Sequence, residues 1–330
     1  MQLNMIHSLY RCIGNLISPQ GKEAQLSILI YHKVLAEIDI LFPGEVTANS
    51  FNKQLIELKK VFNILPLEEA LYRLTRDTLP ARAACITFDD GYADNATIAL
   101  PIIQEHGLTA SFFIATAYLN GGRMFNDTII HAIRHSQEPL ADLSKLQLGR
   151  HNLDSLESKR QAIGSILKIV KYLPLGERES VAAEVLSMLT DIPASNNLMM
   201  NTSQLKQLRD AGMTIGGHTS HHPILKQQSH KEAIQEIAEG KEELERILGD
   251  KIRYFAYPNG LPGVDYCEQH ANMVRSLGFE AALSTRWGTA NRLSDIFQLP
   301  RFTPYSNNII KFTPMLFQNI MNSNSSINLK

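Results

Sequence analysis

The sequence predicts an α/β protein, built either as a barrel or as a doubly wound parallel sheet. Short continuous apolar runs, typical of strands buried on both faces, alternate with amphipathic segments of helical period. Roughly seven such strand-like runs occur, and glycines end several of the helices between them. The length of 330 residues suits one large barrel, which can bury its core without disulfide bonds or structural metals.

The first half of the chain predicts a βαβ unit, whose crossover is right-handed in nearly all proteins. Three continuous apolar runs favour buried strands: residues 25–31 (QLSILIY), 84–88 (ACITF) and 110–114 (ASFFI). Ser50 is in a position to cap the helix that follows the first run. Asp94 or Asn95 is predicted to cap the helix after the second run, which Gly107 then ends.

The same alternation returns in the second half of the chain. Strands are predicted at residues 213–217, 253–257 and 281–284. Amphipathic helices are predicted around residues 205–208, 234–248 and 273–277. Each of these helices is followed by a glycine that can end it, namely Gly212, Gly249 and Gly278.

Strand signals vanish between about residues 123 and 200, where segments 158–172 and 177–189 have a helical period. We interpret this stretch as a helical insertion in the barrel and not as a separate catalytic domain. The predicted organisation is an N-terminal helical extension (1–24), the barrel (25–305) and a C-terminal tail (306–330). The polar end of that tail, from Asn322 onward, is expected to fray.

Composition limits the classes of function. Lys and Arg total 32 against 33 Asp and Glu, a net charge of -1, so the chain lacks the basic surplus of a nucleic-acid-binding protein. No run is apolar enough to span a membrane, and the N-terminus lacks the features of a signal peptide. Three distant cysteines (Cys12, Cys85 and Cys267) predict idle thiols. We therefore expect a cytoplasmic protein, with contact between its N-terminal helix and a membrane or partner as the alternative.

Two adjacent acids, Asp89 and Asp90, follow the predicted strand at residues 84–88 in the sequence TFDDGY. Catalytic groups of parallel α/β folds gather at the C-terminal ends of strands, which is where these acids would lie. Adjacent side chains leaving a strand point in different directions, so the two acids could serve two roles. Asp-Gly sequences are also ordinary turn chemistry, and a turn with a helix cap is the alternative.

A histidine cluster, GGHTSHHP, follows the predicted strand at residues 213–217. His218 and His222 are four apart and could face one metal ion from a helical turn or a folded loop. One carboxylate of the acid pair would complete a set of two histidines and one aspartate, which leaves open positions for water and substrate. An exposed polar loop, or a single buried and hydrogen-bonded histidine, would explain the cluster equally well. His221 is interpreted as a spacer.

The third feature is FAYPNG at residues 255–260, a strand that runs into a Pro-Asn-Gly turn. Such a turn can present backbone N–H groups to a developing oxyanion, or it can simply be a turn.

These motifs, in this order, resemble those of the polysaccharide deacetylases with a NodB homology domain, carbohydrate esterase family 4. The resemblance rests on Tyr31-His32, TFDDGYADN (87–95), HTxxHP (218–223), FAYPNG (255–260) and LPR (299–301). It covers about residues 27–304, with the helical stretch as an insertion. It implies a distorted (β/α)7-type barrel.

The resemblance implies a metal-dependent hydrolase that removes N-acetyl groups from an amino-sugar polysaccharide or its precursor, in exopolysaccharide or cell-envelope biosynthesis. By motif position, Asp90, His218 and His222 would hold a divalent cation, expected to be Zn²⁺ with Co²⁺ or Ni²⁺ as alternatives. Asp89 would be the general base, and a backbone N–H near Asn259 would help to hold the oxyanion.

Two departures from the family pattern qualify these roles. Many members carry an arginine in the third motif that orients the base, whereas this chain has Ala256 there; Arg301 is the candidate substitute. Many members also supply a late histidine as general acid, and none follows His270 in this chain. His32 is the candidate replacement, with a structural histidine as the alternative reading.

Tyr92, Tyr257 and Trp287 are the aromatic candidates for stacking on a sugar, although single aromatic residues more often belong to a core. An N-acetylated glycan is the expected partner, and the oligomeric state is not predicted. The two departures keep open a non-catalytic carbohydrate-binding or scaffold protein on the same fold. A hydrolase of other non-peptide C–N bonds is a third hypothesis, because one fold hosts several reactions.

Overall fold

The fold is organised around a curled, parallel sheet of seven strands. The structure is a computed structural model that describes residues 2–304 and 309–327. Its strands are β1 (Leu26–Tyr31), β2 (Asn63–Ile64), β3 (Ala83–Phe88), β4 (Ser111–Ile114), β5 (Leu140–Asp142), β6 (Arg150–Asn152), β7 (Thr214–Gly217), β8 (Tyr254–Ala256) and β9 (Ala281–Leu283). The main sheet has the order β1-β3-β4-β7-β8-β9, with β2 beside β3, and all of its pairs are parallel.

Helices surround this sheet and cover its outer face. They are α1 (Gln2–Ile17), α2 (Ala48–Val61), α3 (Leu67–Leu74), α4 (Leu100–Glu105), α5 (Phe125–His135), α6 (Leu156–Val170), α7 (Leu175–Leu189), α8 (Thr202–Asp210), α9 (His230–Leu248), α10 (Glu268–Ser276) and α11 (Ile309–Ile327). Strands β1, β3 and β4 are buried along their whole length, which explains their continuous apolar sequences.

The half-barrel formed by the sheet is bridged by a short extended segment, residues 299–302, which we call the closing segment. Leu299 forms a parallel bridge with Leu283 of β9, and Phe302 forms one with Leu29 of β1. The closing segment therefore lies between the first and last strands of the order. It carries the LPR sequence into the interior of the barrel.

The predicted α/β class and barrel are confirmed. The six strands predicted from apolar runs coincide with β1, β3, β4, β7, β8 and β9 to within one residue at each end. Gly212, Gly249 and Gly278 follow their helices with φ angles of +80°, +73° and +79°, the left-handed backbone that glycine adopts at low cost. The two-residue β2 was not predicted, because so short a run shows no periodicity.

Two predicted helix caps need correction. Thr47, and not Ser50, caps α2: its Oγ1 accepts a hydrogen bond from Ser50 N at 3.3 Å, and Ser50 Oγ accepts one from Thr47 N at 2.8 Å. Ser50 is thus the third helical residue of a reciprocal capping box. Asp94 precedes a π-helical turn (Asn95–Ala99) that leads into α4, and its side chain makes no capping hydrogen bond.

The stretch between residues 123 and 200 contains α5, α6 and α7 around an apolar core of its own. Helices α6 and α7 coincide with the two predicted helical segments, whereas α5 was not predicted. The stretch also contains an antiparallel hairpin of β5 and β6, so the expectation of no strands there was wrong. Each of these strands has three residues, of which only the central one turns inward, and such a short alternation gives no sequence signal.

The two ends of the described chain are helical. The helix predicted for the N-terminal extension is α1, which packs beside α2 and α11. Residues 322–327, expected to fray, continue α11 instead; residues 328–330 lie outside the described residues. No helix in the described ranges is long and apolar enough to cross a membrane. Cys12, Cys85 and Cys267 are all free thiols.

Candidate active site

The loop after β3 turns the two adjacent acids in different directions. Asp89 continues the strand geometry, since its N–H donates to Tyr31 O at 3.0 Å. Asp90 and Gly91 then adopt left-handed backbone, with φ angles of +77° and +93°. This conformation is costly for an aspartate and persists where surrounding contacts fix it. The turn separates the two carboxylates, both of which are buried.

Asp89 is clamped by Arg301 of the closing segment. Arg301 Nη1 donates to Asp89 Oδ1 at 2.8 Å and Nη2 donates to Oδ2 at 2.7 Å. Two further donors of Arg301 are used: Nε donates to Ser284 O at 2.9 Å and Nη1 donates to Thr87 Oγ1 at 3.2 Å. Both charged side chains are almost fully buried, with 0% and 2% of Arg301 and Asp89 exposed. Such a forked pair with additional hydrogen bonds is the arrangement that makes a buried ion pair tolerable.

The pair keeps Asp89 ionised. Burial would raise the pKa of Asp89, but the charges of Arg301 and His218 and the hydrogen bonds from Arg301 outweigh it and lower that pKa. Each carboxylate oxygen accepts one N–H from Arg301 and keeps a lone pair for another proton donor. Asp89 is therefore a fixed carboxylate that can accept a proton.

Asp90 forms a separate cluster with the two histidines that the sequence singled out. Nε2 of His218 and Nε2 of His222 each lie 3.4 Å from Asp90 Oδ1. One potential ligand atom from each residue lies within 4.8 Å of the others. The two motifs are far apart in the sequence, but only β4 separates β3 from β7 in the parallel sheet. The loops after β3 and β7 therefore leave the same edge of the sheet.

The donor set of this cluster fits a divalent cation. Asp90 Oδ1 is buried and has no hydrogen-bond partner, which is costly unless a further group binds it. His218 Nδ1 is 2.7 Å from Ala256 O, so Nδ1 carries the proton and Nε2 is left as an acceptor. Two imidazoles and one carboxylate are a common ligand set for a zinc-like ion with open positions.

The electrostatics of Asp90 and His222 agree with this arrangement. Burial opposes the ionised form of Asp90, but the adjacent His218 and His222 outweigh it and lower its pKa. Burial also lowers the pKa of His222 to about 3, so this imidazole is neutral at physiological pH, as a metal ligand must be. His218 is also desolvated, but the two carboxylates beside it dominate and raise its pKa.

The loop that carries the histidines is braced by α9. Glu236 accepts hydrogen bonds from His221 N at 2.7 Å and from Ser220 N at 3.1 Å. His221 Nδ1 lies 2.8 Å from the other oxygen of Glu236, a hydrogen bond that, despite partial burial, raises the pKa of His221. Gly240 allows this approach, since a Cβ there would lie 2.6 Å from the carbonyl of Thr219. His221 is thus a spacer that anchors the loop.

The structure brings Asp89, Asp90, His218, His222 and Arg301 together, whereas the other predicted site residues differ in their surroundings. His32 directly follows β1 and is exposed, and its charge acts on both Asp89 and Asp90. Asn259 is exposed, with a φ of +56°, and its carbonyl accepts a hydrogen bond from Thr285 Oγ1 at 2.5 Å.

The aromatic predictions need correction. Tyr92 is 2% exposed, and its hydroxyl donates to Asp127 at 2.9 Å. Tyr257 is 0% exposed, and its hydroxyl donates to Phe297 O at 2.9 Å. A sugar ring cannot stack on either buried face, so these two residues do not fit the expected substrate contact. Trp287 is 53% exposed and borders a cavity of about 490 Å³.

Sequence reasoning missed the residues that hold the site from outside the motifs. Glu236 on α9, together with Asp127 and Arg178 in the helical insertion, contacts the motif loops or their residues. Glu236 could have been noticed as an acid on the apolar face of an amphipathic helix, where it is 7% exposed. Asp127 and Arg178 gave no signal, because nothing in their local sequence predicts which loop they reach.

The fold and the site together define a curled α/β barrel with a candidate metal centre beside a buried carboxylate–guanidinium pair. The sequence model of the family described as polysaccharide deacetylase matches residues 76–145 and 188–282, which together make up half of the chain. The chain belongs to the polysaccharide deacetylase family. The unmatched stretch between the two segments lies within the helical insertion.

Individual proteins resemble the chain to different extents. YxkH of Bacillus subtilis (strain 168), provisionally named a polysaccharide deacetylase, is 28% identical over 140 residues. That match spans 41% of this chain and 45% of YxkH. The deacetylase PplD of Streptococcus pyogenes, solved with acetate, has a TM-score of 0.60 at 18% identity, over 90% of this chain and 98% of PplD. IcaB from Ammonifex degensii has a TM-score of 0.58 at 19% identity, over 91% and 98%. At these identities, PplD and IcaB are similar to this chain in fold.

The candidate metal centre predicts that substitution separates the two acids. Asp90→Asn should lose most divalent-cation binding, because it removes the charged ligand while keeping the size of the side chain. Asp89→Asn should retain binding, because Asp89 faces Arg301. Metal content after dialysis against Zn²⁺, measured by elemental analysis, tests this. Equal loss in both variants would contradict the division between Asp89 and Asp90.

The buried pair predicts a large, pH-dependent effect of Arg301→Met. We expect the free energy of unfolding at pH 7 to fall by roughly 3–5 kcal/mol, the usual cost of leaving a buried charge unpaired. With its lowered pKa, the stabilisation from Asp89 is present above its ordinary pKa of 3.8 and is lost in more acidic solution. In the variant, burial raises the pKa of the unpaired Asp89 instead. The difference in unfolding free energy between the two proteins should therefore shrink as the pH falls from 7 toward 3.8. Denaturant unfolding at several pH values measures it.

Arg253→Met is the matched control for this comparison. Arg253 also pairs with a carboxylate, Glu68, but both side chains are partly exposed, at 36% and 56%. Its loss should therefore cost about 1 kcal/mol or less. Equal, pH-independent costs in the two variants would contradict the role given to the buried pair.

Proposed function

We propose that the protein is a metal-dependent hydrolase that removes N-acetyl groups from an amino-sugar polysaccharide or its precursor. The observation that carries this proposal is the pairing of an Asp90–His218–His222 cluster with a separate carboxylate, Asp89, held ionised by Arg301. Amide hydrolysis needs both an electrophilic site and a base, and this arrangement supplies them on one edge of the barrel. Membership of the polysaccharide deacetylase family supports the substrate class.

Asp90, His218 and His222 would hold the divalent cation, with Zn²⁺ the first candidate and Co²⁺ or Ni²⁺ as alternatives. When bound, such an ion polarises an amide carbonyl and lowers the pKa of water at its open positions. The neutral His222 and the Nε2 acceptor of His218 suit this role. The unpartnered Asp90 Oδ1 supplies the charged ligand.

Asp89 would act as the general base. Its lowered pKa keeps it deprotonated at neutral pH, and its two bonds to Arg301 fix the direction of its free lone pairs. It takes the proton from the attacking water as the C–O bond forms. Arg301 is a positioning residue here, and it supplies from the closing segment the guanidinium that the third motif lacks at Ala256.

His32 would act as the general acid. It follows β1, so it leaves the sheet on the same edge as the two acids, and it is exposed to a bound substrate. Protonation of the amide nitrogen by His32 lets the C–N bond break, and the products are acetate and a free amine on the sugar. The backbone N–H of Asn259 is the candidate donor to the oxyanion, in a turn that the Thr285 hydroxyl holds through the Asn259 carbonyl.

Trp287 is the remaining candidate for contact with the sugar. Its half-exposed ring borders the 490 Å³ cavity beyond β9, which is also lined by Arg286, Asp295 and Pro262. An apolar ring face beside polar groups suits a pyranose. An exopolysaccharide or cell-envelope glycan fits the family, and the cytoplasmic location stays a prediction.

Acetate release from N-acetylglucosamine oligomers by the Zn²⁺-loaded protein tests the proposal. We expect turnover by the wild type, and a fall of at least about 100-fold in kcat for Asp89→Asn, since general bases contribute about 10²–10⁴-fold. His32→Gln should lower kcat by a similar factor, with KM little changed. Circular dichroism of each variant reports on its folding, and metal content reports on the cation site.

Three outcomes would contradict parts of this proposal. Glycan binding without acetate release by a metal-loaded wild type would favour the non-catalytic alternative. That alternative has lost one of its two supports, because Arg301 reaches the base that the missing arginine would orient. Release from small amides but not from oligosaccharides would favour the hydrolase of another C–N bond. Full activity in Asp89→Asn would remove the base assignment.

A further inference from the structure

The helical insertion contacts the loop that carries the histidines of the candidate metal centre. Arg178 of α7 is 2% exposed, and its guanidinium reaches two backbone carbonyls of that loop. Nη1 donates to His222 O at 3.1 Å, and Nη2 donates to His221 O at 2.8 Å. His222 is one of the three candidate ligands. The contact therefore joins the insertion to the backbone of a ligand.

The surroundings of Arg178 fix it in this position. Its Nη2 also lies 3.2 Å from Glu179 Oε1 and 3.3 Å from Tyr118 Oη. The Tyr118 hydroxyl donates to the same His221 carbonyl at 2.9 Å. The guanidinium carbon lies 4.5 Å from the centre of the Phe125 ring of α5. A buried cation is costly unless its bonds compensate. The bonds of the two Nη atoms converge on residues 218–222, which we call the metal loop, whereas Nε is buried without a hydrogen-bond partner.

The metal loop needs such support because its backbone is strained. Thr219 and His222 have φ angles of +64° and +52°, in the left-handed region that is costly for non-glycine residues. A fork that holds the carbonyls of His221 and His222 fixes the backbone from which the His222 side chain extends toward Asp90. Glu236 of α9 holds the N–H groups on the other side of the loop.

The insertion also reaches the loop that carries Asp90. Asp127 of α5 accepts hydrogen bonds from Tyr92 Oη at 2.9 Å and from Lys33 Nζ at 2.7 Å. Tyr92 is two residues from Asp90. Both halves of the candidate metal centre are thus held by neighbouring helices of one insertion, since α5 and α7 pack on each other.

We propose that Arg178 is a positioning residue for the metal centre, and that the helical insertion serves to preorganise His222 as a ligand. This rests on the proposed function only in taking Asp90, His218 and His222 as the cation site. Arg178 lies in the stretch that the family model does not match. Groups that orient a ligand without touching the metal typically change metal affinity by about 10–100-fold.

Metal affinity measured without any substrate tests this proposal. Arg178→Met keeps the length and apolar contact of the side chain but removes its donors. We expect its Kd for Zn²⁺, determined by competition with a chromophoric chelator, to rise about 10–100-fold. The visible absorption of the Co²⁺-loaded variant should change in position or intensity, because the ligand geometry is loosened. Arg178→Lys, whose single ammonium replaces the fork, should recover part of the affinity.

Arg134→Met is the matched control. Arg134 lies in the same insertion and forms a forked pair with Asp39, through bonds of 2.9 and 2.6 Å, without contacting the metal loop. Its substitution should lower stability while leaving the Zn²⁺ Kd and the Co²⁺ spectrum unchanged. Tyr118→Phe removes one bond to the His221 carbonyl and should weaken Zn²⁺ binding measurably. If Arg178→Met does not fold, Arg178→Lys, which loses the fork but keeps the charge, replaces it as the test.

The outcomes distinguish this inference from the proposed function. A wild type that binds no divalent cation would remove the proposed site and with it the role of Arg178. A wild type that binds Zn²⁺, with a Kd in Arg178→Met or its replacement within twofold of wild type and an unchanged Co²⁺ spectrum, would overturn the role of Arg178 alone. Equal weakening in Arg134→Met would assign the effect to stability of the insertion and overturn the specific role.

Discussion

The buried ion pair between Arg301 and Asp89 is the interaction on which the arrangement of the site depends. It joins the closing segment to the end of β3, and so ties the bridge of the half-barrel to the edge that carries the candidate site. Desolvation of two charges can exceed their attraction unless further hydrogen bonds offset it. Ser284 O and Thr87 Oγ1 provide such bonds to the guanidinium.

The same pair explains how two adjacent acids acquire different chemistry. Arg301 binds both oxygens of Asp89, whereas Asp90 Oδ1 lies beside the imidazoles of His218 and His222. That oxygen is buried without a hydrogen-bond partner, a feature that a divalent cation would satisfy. In the proposed function, Asp89 would therefore be the fixed proton acceptor and Asp90 the ligand. The left-handed backbone at Asp90 is the strain that this separation requires.

The sequence predicted the parts of this arrangement that local pattern determines. Continuous apolar runs identify β1, β3 and β4, because both faces of those strands are buried, and Asp89 and His218 follow their strands at once. Contacts over long sequence separations were harder. The reach of Arg301 to Asp89 could be guessed only from a missing arginine, and Arg178 and Asp127 were invisible because their partners lie far away in the chain. Tyr92 and Tyr257 were misjudged because an aromatic near a motif does not reveal whether its ring is buried.

A crystal structure of the Zn²⁺-loaded protein, with anomalous data at the zinc edge, tests whether Asp90 binds the cation while Asp89 stays paired with Arg301. We expect one anomalous peak bonded to Asp90, His218 and His222, at the roughly 2.0–2.2 Å typical of zinc with nitrogen and oxygen ligands. Asp89 should remain outside the coordination sphere, with both of its oxygens bonded to Arg301. A peak bonded to Asp89, or an Asp89 released from Arg301 when the metal binds, would contradict the account.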